Sequence, residues 1–437
     1  LIAGLLFVVA IVFTAYIPSQ SDYYFILPGF AAAFLGYGIL IHSLRQPQSR
    51  LRLGLFLALG LAVRVIILFA QPQLSDDIYR FFWDGKLMHA GLNPFASTPS
   101  ELIRTEDFQS WKPLFEQLNS KDYFTVYPPL SQLMFYAAAI SKSVYGASLI
   151  LCGTILVADI GILMCLRQLL HLAEKPSRYA FLYFLNPLVI IEGCGNAHFE
   201  PVCLFFLLLG VLFLYHQRRM LSAIAVASGI GIKLLPAMYM PALLRFFKSR
   251  YAVIRYSLTV LSVGLLMGLP ILIDGSWLKM LQSLDLYFQS FEFNGSVYYV
   301  LRWLGLLITG YNQIWIIVPV LSIITVVLIL RRTVRDESDH GIVGLLDQFL
   351  YFSVCYLLLA TTVHPWYLIL PVAFCVFRPK LYILVWSFTV IFSYSLYKAY
   401  DYEFHYIWIG AEYVLVALVW WLEQKGRIGF EMRPSLK

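Results

Sequence analysis

LGLFLALGLAVRVIILFA (residues 53–70), a short QPQL link and then SDDIYRFFWDGKLMHAGLNPF (75–95) decide the fold of this chain. The first run has the length and apolarity that a bilayer core demands of a helix. The second packs Asp76, Asp77, Arg80, Asp84 and Lys86 into one helical-looking segment at its mouth. Similar apolar runs recur along all 437 residues, of which 60% are hydrophobic and 13% charged, with mean hydropathy +0.74. Alternating short strands, the signature of a membrane barrel, do not occur. The reading is an all-α polytopic membrane protein, each spanning backbone bonded within its own helix.

The net charge of +7 does not point to nucleic acid. The basic residues sit in short clusters between apolar runs, as the positive-inside rule expects. These are Arg45, Arg50 and Arg52; Arg167, Lys175 and Arg178; Arg218 and Arg219; Arg245, Lys248, Arg250 and Arg255; and Arg331, Arg332 and Arg335. The tail adds Lys425, Arg427, Arg433 and Lys437. The six cysteines lie mostly in apolar runs without a CxxC pair and read as small buried apolar residues. The start, LIAGLLFVVAIVFTAYIPSQ, lacks a basic n-region and a small-x-small cleavage site, so it reads as a retained helix.

Spans are expected near 1–17, 24–43 and 53–71, which place residue 72 outside. Residues 72–126 form a long outer loop with interfacial helices, followed by an interfacial or re-entrant segment after Pro128 and Pro129. A span near 147–170 returns the chain, and 179–193 with 201–216 form a hairpin tipped by EGCGNAHFE. Residues 220–247 divide into two halves near Lys233, before Pro236. A span at 251–273, a second outer loop at 274–300 and spans near 312–331, 342–360, 366–379, 380–397 and 408–422 complete a single domain over 1–437. The total is about 12–14 crossings, with the polar loops gathered on the outer face.

Chemistry follows the polar groups. Ser75 suits an N-cap and carboxylates suit a first helical turn. Asp77, Arg80 and Asp84 share one helical face, which fits a salt-bridged interfacial helix. It equally fits one carboxylate, Asp76 or Asp77, acting as general base toward a hydroxyl. Glu192, Asn196, His198 and Glu200 crowd one hairpin tip, where they either cap helix ends or contact a ligand. The HFE spacing matches no strong metal motif. Lys233 is either a snorkelling lysine or a cation facing phosphate. His364, with Trp366 and Tyr367, occupies another outer tip where aromatic rings serve as interface anchors or sugar platforms.

SDDIYRFFWDGKLMHAGLNPF, YPPLSQLMFY, GNAHFEPVCLFFLLLGVLFL, KLLP and HPWYLILP, in that order, resemble the GT-C glycosyltransferases. The likeness spans most of residues 72–370 and is greatest to bacterial mannosyltransferase-like members that use polyprenyl-phosphate sugars. It implies a GT-C-type bundle in the bacterial cytoplasmic membrane with its active site facing outside. It implies an inverting transfer from a polyprenyl-phosphate-linked donor, with mannose favoured, to a hydroxyl of a lipid-linked or glycolipid acceptor. It also implies that no metal or other cofactor is required. In similar enzymes the basic aspartate precedes the loop glycine by the spacing that separates Asp77 from Gly91, which selects Asp77 over Asp76. Arg80, Lys233 and His364 would meet the phosphate, Asn196, His198 and Glu200 the sugar or acceptor, and Tyr127 and Trp366 would line the cavity. The competing readings are a lipid-linked-sugar flippase, which needs paired broken helices and access from both faces, and a non-catalytic assembly subunit.

Overall fold

The computed structural model describes residues 2–335, 341–397 and 402–430, without the side chains of 287–290 and 402–404. Arg433 and Lys437 of the basic tail lie outside the described residues. Among the described residues the architecture is all-helical, apart from one isolated parallel bridge between Phe293 and Thr362.

Among the described residues seven helices are long and apolar enough to cross a membrane: Tyr23–Ser43, Arg50–Leu68, Val144–Leu172, Arg250–Ile273, Ile314–Arg335, Ile342–Leu359 and His405–Gln424. Several begin at sequence-encoded caps: Ser49 Oγ accepts from Arg52 N–H and Ser143 Oγ from Gly146 N–H. Six further apolar helices among the described residues are shorter, including Ile2–Tyr16, Arg219–Ile232, Pro365–Phe377 and Leu381–Tyr397. The sequence-based count therefore mixes full-length spans with shorter apolar helices.

The expected hairpin at 179–216 differs in its first arm. Pro187 interrupts the helix after Phe181–Phe184, and Asn186 Oδ1 caps Leu188 N–H at 3.0 Å while its amide donates to Ser387. The following segment Val189–Gly195 is bent by 106° from Glu200–Tyr215. This whole stretch is buried inside the protein instead of facing lipid. The break at Lys233 between Arg219–Ile232 and Leu235–Leu244 falls where the sequence reading placed it.

A buried ion pair ties two long helices together. Arg64 Nε lies 2.8 Å from Asp159 Oδ2, and Tyr183 Oη donates to Asp159 Oδ1 at 2.7 Å. Arg64 also donates to the Phe184 carbonyl and lies over the Phe184 ring, so most of its donors are satisfied away from water. The five cysteines at 152, 165, 194, 203 and 375 are buried and Cys355 is half-buried, all as free thiols.

Candidate active site

The Asp77–His89 helix starts the site. Asp76 is its N-cap residue, and Ser75 Oγ accepts from Asp77 N–H at 3.3 Å. Gly85 lies against the backbone of the Pro129–Ala139 helix: an added Cβ would stand 2.2 Å from the Phe135 carbonyl oxygen. Gly91 ends the helix with φ +74°, a left-handed conformation that suits glycine. There Leu92 N–H reaches Leu87 O and Gly91 N–H reaches Met88 O, satisfying the last carbonyls. Asn93 accepts from Phe95 N–H and donates to Asp274 and Ser276, anchoring the loop to the second polar loop. Beneath it, Trp83, Leu87, Phe108 and Leu118 form a small core, and the Lys86 ammonium stands 3.9 Å from the centre of the Trp111 ring.

Asp77 is half-buried, and two neutral donors hold its carboxylate. Asn119 Nδ2 reaches Oδ1 at 3.0 Å and Tyr127 Oη reaches Oδ2 at 3.1 Å. Burial, then the adjacent Asp77 charge, keeps the Tyr127 phenol well above its ordinary value, so it remains a donor. Asp76 is exposed, yet nearby protein and then Asp77 raise its carboxyl above the usual aspartate range.

Arg80 departs from the expectation that it holds Asp77 or meets a phosphate. Its Nε pairs with Asp84 at 2.9 Å, and its Nη1 donates to the Ser120 and Tyr123 carbonyls. It is 2% exposed. The i,i+4 spacing to Asp84 and the folded-back loop outcompete the i,i−3 geometry toward Asp77.

The second polar tip lies across an aromatic layer. Phe81 packs on Tyr127, Phe135 and Phe199 with ring centres 4.4–5.4 Å apart. Beyond Phe199, Glu200 opens the next helix fully buried, and one of its oxygens pairs with Lys233. The Lys233 ammonium also lies 5.2 Å from the centre of the Tyr367 ring. Trp366 stacks on His198 at 3.6 Å and on His364 at 4.3 Å. His198 Nδ1 lies 2.9 Å from the Glu192 carbonyl, a pure acceptor, so the network assigns the proton to Nδ1. Among the described residues His198 Nε2, Glu200 Oε2 and His364 Nδ1 are buried without a hydrogen-bond partner. Burial, then the neighbouring His198 and Lys233 charges, holds His364 well below the ordinary histidine value and keeps it neutral.

Asn196 is turned inward. Its Oδ1 accepts from Leu74 N–H at 3.1 Å, and its amide faces Glu192 Oε2 at 3.5 Å. Residues that the sequence reading did not single out complete the site: Asn119 on Asp77, Gln132 on Asp84 Oδ2 at 2.9 Å, and Tyr394 on Glu192 Oε1 at 2.8 Å. Tyr394 sits in an apolar run and Asn119 in an ordinary polar loop, so neither carries a local signal. Gln132 stands inside the quoted YPPLSQLMFY block and could have been found there.

An apolar cavity of about 140 Å³ adjoins both halves, lined by Pro128, Gly231, Leu234, Gly264, Met267 and Gly268 among others. Pro128 follows Tyr127, and Leu234 follows Lys233. Among the described residues no group of three or more His, Cys, Asp and Glu side chains is arranged to hold a metal ion.

Alpha-(1->6)-mannopyranosyltransferase A of Corynebacterium glutamicum is 22% identical over 200 residues, 43% of this chain and 38% of that relative. The chain thus matches well under half the length of this relative. Residues 8–248, more than half of the chain, match the family described as alpha-(1->6)-mannopyranosyltransferase, N-terminal domain; the matched region carries Asp77, Tyr127, His198, Glu200 and Lys233. The chain belongs to the alpha-(1->6)-mannopyranosyltransferase family.

Proposed function

We propose that this protein is an inverting glycosyltransferase that moves mannose from a polyprenyl-phosphate-linked donor to a hydroxyl of a lipid-linked or glycolipid acceptor. The observation that carries the reading is Asp77: a half-buried carboxylate beside the exposed Asp76, fixed by Asn119 and Tyr127 with no cation among those two contacts. A base must be placed within reach of the hydroxyl it deprotonates, and these two donors place Asp77 while leaving it partly open to solvent.

The acceptor O–H gives its proton to Asp77. Its oxygen attacks the anomeric carbon from the face opposite the phosphate, and the carbon–phosphate-oxygen bond breaks. The electron pair leaves with the phosphate, so configuration inverts. Lys233 and His364 are the proposed phosphate partners, because developing charge is best met by donors already in place. Lys233 has three donors and Glu200 engages its ammonium without exhausting them. His198, Glu200 and Trp366 are the proposed sugar contacts: His198 Nε2 and Glu200 Oε2 are buried polar atoms without a hydrogen-bond partner, and the edge of the Trp366 ring, stacked on both His198 and His364, lies beside them. The apolar groove lined by Pro128 and Leu234, the chain neighbours of Tyr127 and Lys233, supports a lipid-linked donor by offering apolar surface next to the polar site. Neither metal nor other cofactor enters the scheme.

The helix Tyr23–Ser43 supports an outward-facing site. Gln20, just before it, reaches Leu74 near Asp77, while Leu44, just after it, accepts from Arg178. At 1.5 Å per residue the two ends stand roughly 30 Å apart. Arg178 and Arg45, bound to the Gly429 carbonyl, thus lie at the far end from Asp77, and basic residues mark the cytoplasmic side. A bacterial cytoplasmic membrane fits that arrangement.

Reconstitution with polyprenyl phosphate mannose and membrane lipid extract tests the proposal. Mannose transfer that persists in EDTA is expected. Transbilayer movement of the lipid without transfer would replace this reading with a flippase, and loss in EDTA restored by manganese would overturn metal independence.

A further inference from the structure

Leu74 lies three residues before Asp77 and is 1% exposed. Asn196 Oδ1 accepts from its N–H at 3.1 Å, and Gln20 Nε2 donates to its carbonyl at 3.3 Å. Tyr394 Oη stands 3.4 Å from the same carbonyl and 2.8 Å from Glu192 Oε1. One phenol has one proton, and the shorter contact to the carboxylate takes it. Glu192 is fully buried, and its second oxygen faces His198 Nδ1 at 3.3 Å and the Asn196 amide at 3.5 Å. Both of its oxygens therefore have protein partners, and neither is left to face a substrate.

From this geometry we infer that Glu192, Asn196 and Tyr394 form a positioning centre, with Glu192 as its hub, that fixes the backbone at Leu74 and hence the start of the helix carrying Asp77. Asn196 acts through Leu74 and not as a sugar ligand. The backbone carbonyl of the same residue orients His198 Nδ1, with the carboxylate alongside at 3.3 Å, so Glu192 bears on both halves of the site. Tyr394 lies outside residues 8–248, so the later part of the chain completes a site carried mainly by the earlier part. Buried carboxylates in apolar surroundings are costly unless their partners are complete, and here removal of Tyr394 Oη leaves Glu192 Oε1 without its partner. The inference rests on Asp77 as the base, but the contacts themselves are read independently of activity.

Two measurements test it on the full-length protein in nanodiscs. In Tyr394→Phe and Asn196→Ala, hydrogen exchange of backbone amides over residues 70–78 should rise. In Tyr394→Phe, kcat should fall roughly 10-fold, the scale of one hydrogen bond to a charged group, with donor KM unchanged. Glu192→Gln, which keeps an acceptor for Tyr394, should retain more of the rate than Glu192→Ala. Unchanged exchange at 70–78 in both of the first two variants would overturn the positioning centre, as would a raised donor KM with kcat intact. Full activity of Asp77→Asn would instead remove the base assignment, while the exchange result would still read the contacts at Leu74.

Discussion

Asp77 and Asp84 stand two turns apart on one face of one helix, yet the protein treats them differently. Asp84 is fully buried, and Arg80 and Gln132 bind its two oxygens. Asp77 is half-buried beside the exposed Asp76, and an amide and a phenol bind it. A buried ion pair with both carboxylate oxygens engaged leaves no route to a substrate, so Asp84 serves the architecture of the loop. Asp77, partly open to solvent and held by two neutral donors, is the one the proposal makes the base.

Substitutions can break that contrast. Asp77→Asn should lower transfer by about 10²- to 10⁴-fold, the usual share of a positioned base, while thermal unfolding in detergent stays near wild type. Asp84→Ala should do the reverse. It leaves Arg80 buried without its carboxylate, which costs about 3–5 kcal/mol of stability, read as a lowered unfolding temperature. Tyr127→Phe removes one of the two donors on Asp77 and should reduce kcat roughly 10-fold, the scale of one hydrogen bond to a charged group. The smallest effect belongs to Asp76. Its raised value means that the folded state holds its proton more tightly than the unfolded chain does. Its contribution to stability is therefore present below the ordinary value of 3.8 and lost as pH rises through the raised one. Asp76→Asn should flatten that shallow slope in an acid-range unfolding series and leave transfer within a few-fold of wild type.

Much of the first block was legible because its constraints are local. The placing of carboxylates in the first helical turn and the loop glycine at Gly91, whose left-handed φ suits glycine, both rest on short-range backbone rules. The break near Lys233 was legible for the same reason: Pro236 cannot continue a helix. Pairing across the chain was not. Arg80 and Asp84 share a face with Asp77, and spacing alone does not say which carboxylate receives the guanidinium; the loop at Ser120–Tyr123 decides it by supplying two carbonyls. Asn196 looked like a ligand because it sits in a polar tip, yet its partner, Leu74, is 122 residues away. Tyr394 carried no local mark, since a tyrosine in an apolar run reads as an interface anchor. The first arm of the 179–216 hairpin misled for a related reason. A stretch apolar all round fits lipid or a protein interior equally well, and here the interior takes it.

The claim that Asp77 is the base is tested most directly by single-turnover transfer from labelled polyprenyl phosphate mannose with Asp77→Asn and Asp76→Asn side by side. The account predicts a loss of about 10²-fold or more for Asp77→Asn and near wild-type transfer for Asp76→Asn. Retained transfer in Asp77→Asn with loss in Asp76→Asn would contradict it.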